Sequence, residues 1–221
     1  RVFDSWCSSA VIEGNIFTDM VLDDYSRAVD LEICDGAIVR NNIFARMQMV
    51  NRASVIRLSD GDSAYVYNNT FYDISGDGVE TACILSLYSG GNHRIFNNIF
   101  AFCPNTIAVL EGDVQVESTI EYNDLYECSG GYVGVNPGIG SIMADPMFAD
   151  TALLDMSLTS SSPCIDAGNP SPDFNDPDGT VGDMGAFPFT GPYNLPLAQN
   201  INVLPGDLYH IIGQTPAIYW H

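Results

Sequence analysis

The sequence predicts an all-β fold in which parallel strands wind into a solenoid of about 27 residues per turn, and three observations predict it. One short pattern recurs five times: Glu13-Gly14-Asn15-Ile16-Phe17, Arg40-Asn41-Asn42-Ile43-Phe44, Tyr67-Asn68-Asn69-Thr70-Phe71, Phe96-Asn97-Asn98-Ile99-Phe100 and Glu121-Tyr122-Asn123-Asp124-Leu125. Its final Asn advances by 27, 27, 29 and 25 residues, a period too narrow for chance. The units are also rich in Val, Ile, Thr, Tyr, Phe, Asn and Gly and alternate with period two, which suits strands and not paired helices.

Apolar columns make the register explicit. Three residues before each marker Asn stand Ile12, Val39, Val66, Ile95 and Ile120, and two after it stand Phe17, Phe44, Phe71, Phe100 and Leu125. Stacked about 4.8 Å apart as parallel strands, these columns become ladders of like side chains that fill the interior. The Asn column (Asn15, Asn42, Asn69, Asn98, Asn123) is predicted to be a structural ladder. Stacked amides bond to one another, beside a turn whose left-handed backbone Asn tolerates.

A second strand precedes each marker: Val29–Ile33, Val55–Ser59, Ile84–Tyr88 and Val109–Asp113. Counting back from the marker puts Leu31, Leu58 and Leu87 in one inward column. The same count turns outward Asp30, Arg57, Ser86 and Glu111, and likewise Glu32, Ser59, Tyr88 and Asp113.

Twenty-eight acidic residues face seven basic ones, all Arg, for a formal charge of −21. Such a charge repels nucleic acid and anionic lipid, so neither is expected as a partner, and cations are favoured. An acidic polysaccharide would need bound Ca²⁺ to reverse the local field. No apolar run reaches the roughly 18 residues of a membrane span. The opening Arg1-Val2-Phe3-Asp4 lacks the charged start, apolar middle and cleavage site of a signal peptide. The expectation is that such a leader has been removed or that the chain begins inside a larger protein.

The Asn-Asn-Ile-Phe rungs resemble the right-handed parallel β-helix repeats of the pectate-lyase-like superfamily, over roughly residues 1–189. Ala144-Asp145-Pro146-Met147-Phe148, Ser162-Pro163-Cys164-Ile165-Asp166-Ala167-Gly168, Asp176-Pro177-Asp178-Gly179-Thr180 and Asp183-Met184-Gly185-Ala186-Phe187 resemble the closing segment of β-helix domains in large modular bacterial surface proteins. The resemblance implies a right-handed parallel β-helix, an extracellular setting and a C-terminal cap. Residues 1–135 are read as rungs, 136–190 as a last rung with its cap, and 191–221 as an extended strand-like tail. Within that tail Thr215–Trp220 resembles the first strand of an immunoglobulin-like module. The tail and the first rung invite partners: a neighbouring subunit, giving an oligomer or polymer, or the rest of a longer polypeptide.

The superfamily includes polysaccharide hydrolases with clustered Asp, and lyases that pair Ca²⁺-binding acids with a basic residue. Of His93, His210 and His221 only the first lies within a rung, with no Asp pair near it in sequence, so no hydrolase site assembles. The best lyase set is Asp30 and Glu32 with Arg57 one rung above and Glu111 and Asp113 further on. Opposite charges across a sheet also form ordinary cross-strand pairs. Glu32, Arg57, Tyr88 and Glu111 are therefore candidate carbohydrate contacts, with Tyr67 and Phe96 on the next strand as stacking surfaces.

Asp173, Asn175, Asp176, Asp178 and Asp183 gather hard oxygen donors around a turn and are the candidate Ca²⁺ ligands, although turn-forming residues alone would give the same sequence. By register Cys7 stacks on Cys34 and Cys103 on Cys128, which makes two candidate disulfides, while Cys83 and Cys164 have no assigned partner. Met20, Met47 and Ile74 share the column of Cys103, which fits buried thiols equally. The sequence therefore points to a non-catalytic extracellular β-helix that acts as a structural, adhesive or assembly unit and binds carbohydrate. A calcium-dependent polysaccharide lyase is the alternative.

Overall fold

A computed structural model describes residues 3–5, 9–76, 81–87, 91–103, 105–110, 118–133 and 138–189. The first coil comprises β1 (Phe3–Ser5), β2 (Val11–Glu13), β3 (Ile16–Thr18) and β4 (Val21–Leu22). The second is β5 (Arg27–Glu32), β6 (Ile38–Arg40) and β7 (Ile43–Met49), and the third β8 (Ser54–Ser59), β9 (Tyr65–Tyr67) and β10 (Thr70–Gly76). The fourth is β11 (Ala82–Leu87), β12 (Arg94–Phe96) and β13 (Ile99–Ala101), and the fifth β14 (Asn105–Leu110), β15 (Thr119–Glu121) and β16 (Asp124–Tyr126); β17 (Gly131–Val133) opens a sixth.

Corresponding strands stack into three parallel sheets: β1-β5-β8-β11-β14-β17, β2-β6-β9-β12-β15 and β3-β7-β10-β13-β16, with β4 also beside β7. The chain is thus an all-β parallel solenoid of about 27-residue coils, as the repeat predicts.

Register follows the marker columns. Ile12, Val39, Val66, Ile95 and Ile120 align across the second sheet and are all buried. Phe17, Phe44, Phe71 and Phe100 stack face to face with centroids 4.9, 5.0 and 4.6 Å apart, close to the spacing of paired strands. Beside them each marker Asn donates through Nδ2 and through its backbone N–H to Oδ1 of the next Asn, at 3.0–3.1 Å from Asn15 to Asn123. Nδ2 also reaches the carbonyl two residues back, and from Asn42 onward a carbonyl of the preceding coil. These buried amides therefore carry no orphan donor. The residue ahead of each marker (Gly14, Asn41, Asn68, Asn97, Tyr122) holds a φ of 50–70°, the left-handed turn expected there.

The first sheet slips by one residue from the sequence count. Arg57 pairs with Leu85 and Leu58 with Ser86, whereas Leu87 aligns with Ser59, so Leu87 does not continue the Leu31–Leu58 column. Offsets of 28 in the first sheet and 29 in the second locate the reason: one extra residue enters before β11 and another between β11 and β12. Counting back from the marker crosses the second of these. β14 likewise covers Asn105–Leu110, starting four residues earlier than expected.

Past the fifth coil, residues 138–142 add a closing rung. Gly138 N–H donates to Ile120 O at 2.7 Å and Ile142 N–H to Asn123 O at 2.9 Å, and the Ser141 hydroxyl accepts from Asn123 N–H at 3.3 Å where the next marker amide would stand. The chain then turns back along the flank. Antiparallel β18 (Phe148–Asp150) and β19 (Asp155–Leu158) lead a largely irregular segment over the outer face of the third sheet. Ile99 and Ala101 are buried there beneath Leu158, Cys164 and Met184, and Ile43 and Ala45 beneath Met156 and Ala186. The expected closing motifs thus run from the fifth coil back to the second, forming a second, shallow core outside the solenoid. Among the described residues no helix is long and apolar enough to cross a membrane.

Candidate functional site

On the first sheet Asp30 lies directly opposite Arg57, as predicted. Arg57 Nε donates to Asp30 Oδ1 at 2.5 Å and Nη2 to Glu32 Oε2 at 3.1 Å. Asp30 is fully buried and Arg57 mostly so, which shields this ion pair from solvent and salt. Two carboxylates share one guanidinium. The rest of the outward row is corrected by the register slip: Leu85, not Ser86, neighbours Arg57. Tyr88, Glu111 and Asp113 lie outside the described residues.

Tyr67 and Phe96 do stack on the outer side of the second sheet, 5.0 Å apart. The flank covers them, because Phe174 packs edge-on to both at 5.6 and 4.6 Å, and Phe96 is fully buried. A sugar ring therefore has no open face on Phe96. Sequence counting located the pair correctly but could not see the segment folded over it.

The candidate calcium ligands sit in that same flank. Asp183 is buried, and its carboxylate accepts backbone N–H groups of Asp166 at 2.8 Å and of Phe189. Asp176 accepts Asp183 N–H at 2.9 Å, Asp178 accepts both donors of Thr180, and Asn175 Nδ2 donates to Gly179 O. Burial, then the neighbouring Asp183 charge, lifts the Asp176 carboxyl to about 7, and burial lifts Asp183 as well. Among the described residues no group of three or more His, Cys, Asp or Glu side chains is disposed to hold a metal ion. The oxygens serve backbone donors that shape the turn.

Asp124 has an analogous place one layer deeper. Fully buried under the flank, it accepts Ala144 N–H at 2.9 Å and lies 3.4 Å from Cys164 Sγ; burial lifts its carboxyl to about 6, against the pull of the Ala144 amide. Thr70, two coils below in the same column, accepts Ala186 N–H at 3.0 Å. Asn68 and Asn97 also reach the flank, bonding Asp183 O, Gly185 O and Asn169 N–H. Polar residues of the rungs thus hold the backbone of the returning chain.

Cys83, Cys103, Cys128 and Cys164 are free thiols, which corrects the predicted bond between Cys103 and Cys128. Those two do stack in register, but parallel strands hold such Cβ atoms near 4.8 Å, beyond the roughly 3.8 Å that a disulfide prefers. Cys103 instead donates weakly to Phe71 O and Ala101 O, and Cys128 to Phe100 O and Tyr126 O, within the column of Met20, Met47 and Ile74. Burial pushes the Cys103 thiol well up, so it is inert core. Cys7 lies outside the described residues, and the predicted Cys7–Cys34 bond with it.

One surface feature escaped the sequence reading. Four residues after each marker the backbone turns left-handed again, at Asp19, Arg46, Asp73, Phe102 and Glu127, with φ of 49–57°. Four of these five side chains are charged; the exception, Phe102, is 46% exposed and held edge-on by Tyr72 at 5.8 Å and Tyr126 at 5.4 Å. An aromatic residue in an otherwise charged column was the signal available.

No family model and no curated protein matches the chain. Among solved structures, a trypsin-treated variant of QnrB1, described as a plasmid-mediated fluoroquinolone resistance protein, aligns over 62% of this chain and 91% of its own at 12% identity. Its TM-score of 0.12 is too low to support any argument about fold or function.

Proposed function

We propose that this chain is a non-catalytic, rigid β-helix of a secreted or cell-surface protein, a structural or adhesive unit that also presents a carbohydrate-binding surface. The observation that carries the reading is how its polar chemistry is used. The Asn ladder, the Arg57 ion pairs and the flank carboxylates each satisfy a neighbour in the fold, which is what a stiff spacer requires. The resemblance of the rungs and closing motifs to the pectate-lyase-like superfamily and to modular bacterial surface proteins supports the extracellular setting. The charge of −21 disfavours nucleic acid and anionic membrane as partners.

The second reading is a calcium-dependent lyase. Asp30, Glu32 and Arg57 favour it, since acids beside a basic residue on the first sheet are what that chemistry uses. An absorbance assay for unsaturated products on a panel of uronic-acid polymers, run with calcium, decides between the two. No product is expected; turnover that disappears in Arg57→Ala would overturn the proposal.

Calcium enters the proposal only at the Asp176–Asp183 corner. A melting temperature raised by calcium over chelator, and not raised in Asp176→Asn, would support it there; equal values would remove the ion. Self-association through residues 191–221 belongs to the same reading. Light scattering on the full chain and on a chain ending at 190 tests it, with loss of oligomers on truncation expected.

A further inference from the structure

We infer that the ridge centred on Phe102 is a binding site for a neutral pyranose glycan, an inference that rests on the carbohydrate-binding part of the proposed function. Tyr72, Phe102 and Tyr126 come from three successive coils, so the solenoid itself sets their spacing at about one strand separation per ring. Each ring is fixed before any ligand arrives. Phe102 lies between two near-perpendicular tyrosines, at 87° and 74°, and Tyr72 is in turn held at 83° by Phe148 of the flank. Side chains already locked lose little freedom on binding.

Exposure at this place is costly without a purpose. Leaving a Phe side chain half in water forgoes roughly 1 kcal/mol or more of burial. Every other coil puts a charged residue here, which the outward left-handed corner accommodates with ease. A single exposed apolar residue needs no explanation, but Phe102 stands between the half-buried rings of Tyr72 and Tyr126, which pack on the flank core, so the three make one aromatic surface on a charged edge.

The surrounding charges select the ligand. Asp73 and Glu127 occupy the same corner column one coil to either side of Phe102, whereas Arg46, two coils away, already donates to Asp19 and Thr18. Both carboxylates are exposed, and Asp145 lies beside Tyr126, raising its hydroxyl's pKa chiefly by its charge. A pyranose offers a C–H face that stacks on an aromatic ring and hydroxyls that both donate and accept. The Phe102 ring offers the stacking face, and the carboxylates beside it accept from the hydroxyls. A uronate would be repelled by Asp73, Glu127 and Asp145, and binding of a cationic peptide would depend strongly on salt.

The test is calorimetry of the full chain with soluble β-glucan, mannan and galactan oligosaccharides, beside polygalacturonate and polylysine, at low and high salt. Binding to at least one neutral glycan is expected, insensitive to salt, weakened about tenfold or more in Phe102→Ala and Tyr126→Ala and kept in Phe102→Trp. Unchanged melting temperatures in the variants would show that folding is intact. The inference is overturned if no neutral glycan binds, if binding survives Phe102→Ala, or if only polylysine binds and salt abolishes it. Binding that survives Phe102→Ala but is lost in Arg57→Ala would keep carbohydrate binding and move it to the first sheet. Turnover of a uronate polymer would instead overturn the non-catalytic reading and leave the ridge to stand on its own binding data.

Discussion

The coil stack and the returning flank are built by opposite means. In the stack, strands pair at equivalent positions 23–29 residues apart, and in the core columns like meets like: Asn on Asn, Phe on Phe, Ile on Val. In the flank, contacts join unlike groups once each and span far more chain: Asn169 N–H to Asn97 across 72 residues, Ala186 N–H to Thr70 across 116. The stack shares its stability among repeats, so neighbouring coils support any one of them. The flank hangs on a few bonds to buried polar side chains. It should therefore be the first part to open.

The largest effect should come from the stack. Phe71→Ala removes a fully buried ring between Phe44 and Phe100 and should cost about 3–5 kcal/mol by denaturant unfolding. Asn69→Ala should cost less, about 1–3 kcal/mol, because it strands the Asn42 N–H donors and one lone pair on Asn98 without opening a large cavity. A melting temperature equal to wild type would break the equivalence of rungs on which the comparison stands.

In the flank, Gly185→Ala should loosen the segment by about 1–2 kcal/mol while the stack keeps its melting temperature. Gly185 sits at φ +97°, where a Cβ would lie 2.7 Å from Ile99 Cδ1. Limited proteolysis between residues 143 and 189 would detect this. Cleavage no faster than wild type would show that the flank is not a separate unit.

The smallest effect separates the two regions by pH. The folded carboxyls of Asp124 and Asp176 lie at about 6 and 7, above the ordinary 3.8, so the folded state holds their protons more tightly than the unfolded one. Their contribution is complete below about pH 4 and is lost as pH rises through 6 and 7. His93, buried in the stack, has the opposite sign. Burial lowers it from 6.5 to about 4, so its contribution is present above 6.5 and is lost as pH falls through 4. Amide protection, corrected for the intrinsic pH dependence of exchange, should therefore fall in the flank from pH 5 to pH 8, and in the stack from pH 6 to pH 4. Asp176→Asn should flatten the flank's dependence alone, and identical profiles in the two regions would contradict the assignment.

The repeat itself made the stack legible. Because a parallel solenoid places residue n over residue n+27, the Asn and Phe columns could be read as contacts directly from spacing. The reading failed where that identity broke. Two extra residues around β11 moved Leu85 beside Arg57 and took Ser86 and Leu87 out of their expected columns. The thiols of Cys103 and Cys128 were correctly stacked but not bonded, since register sets which side chains are neighbours and not the closer approach a disulfide needs.

The sequence by itself determined the strands, their parallel stacking, the ladder of Asn15, Asn42, Asn69, Asn98 and Asn123, and the left-handed turns beside it. All of these follow from local backbone preference and a fixed period. Only the tertiary structure decided that Phe174 covers Tyr67 and Phe96, that Asp124 and Thr70 anchor a returning chain, and that Phe102 stands braced in the open. Those outcomes depend on where a non-repeating segment lies against the repeat. No periodicity encodes that position; it is set by the match of buried surface and unpaired polar groups between residues far apart in the chain.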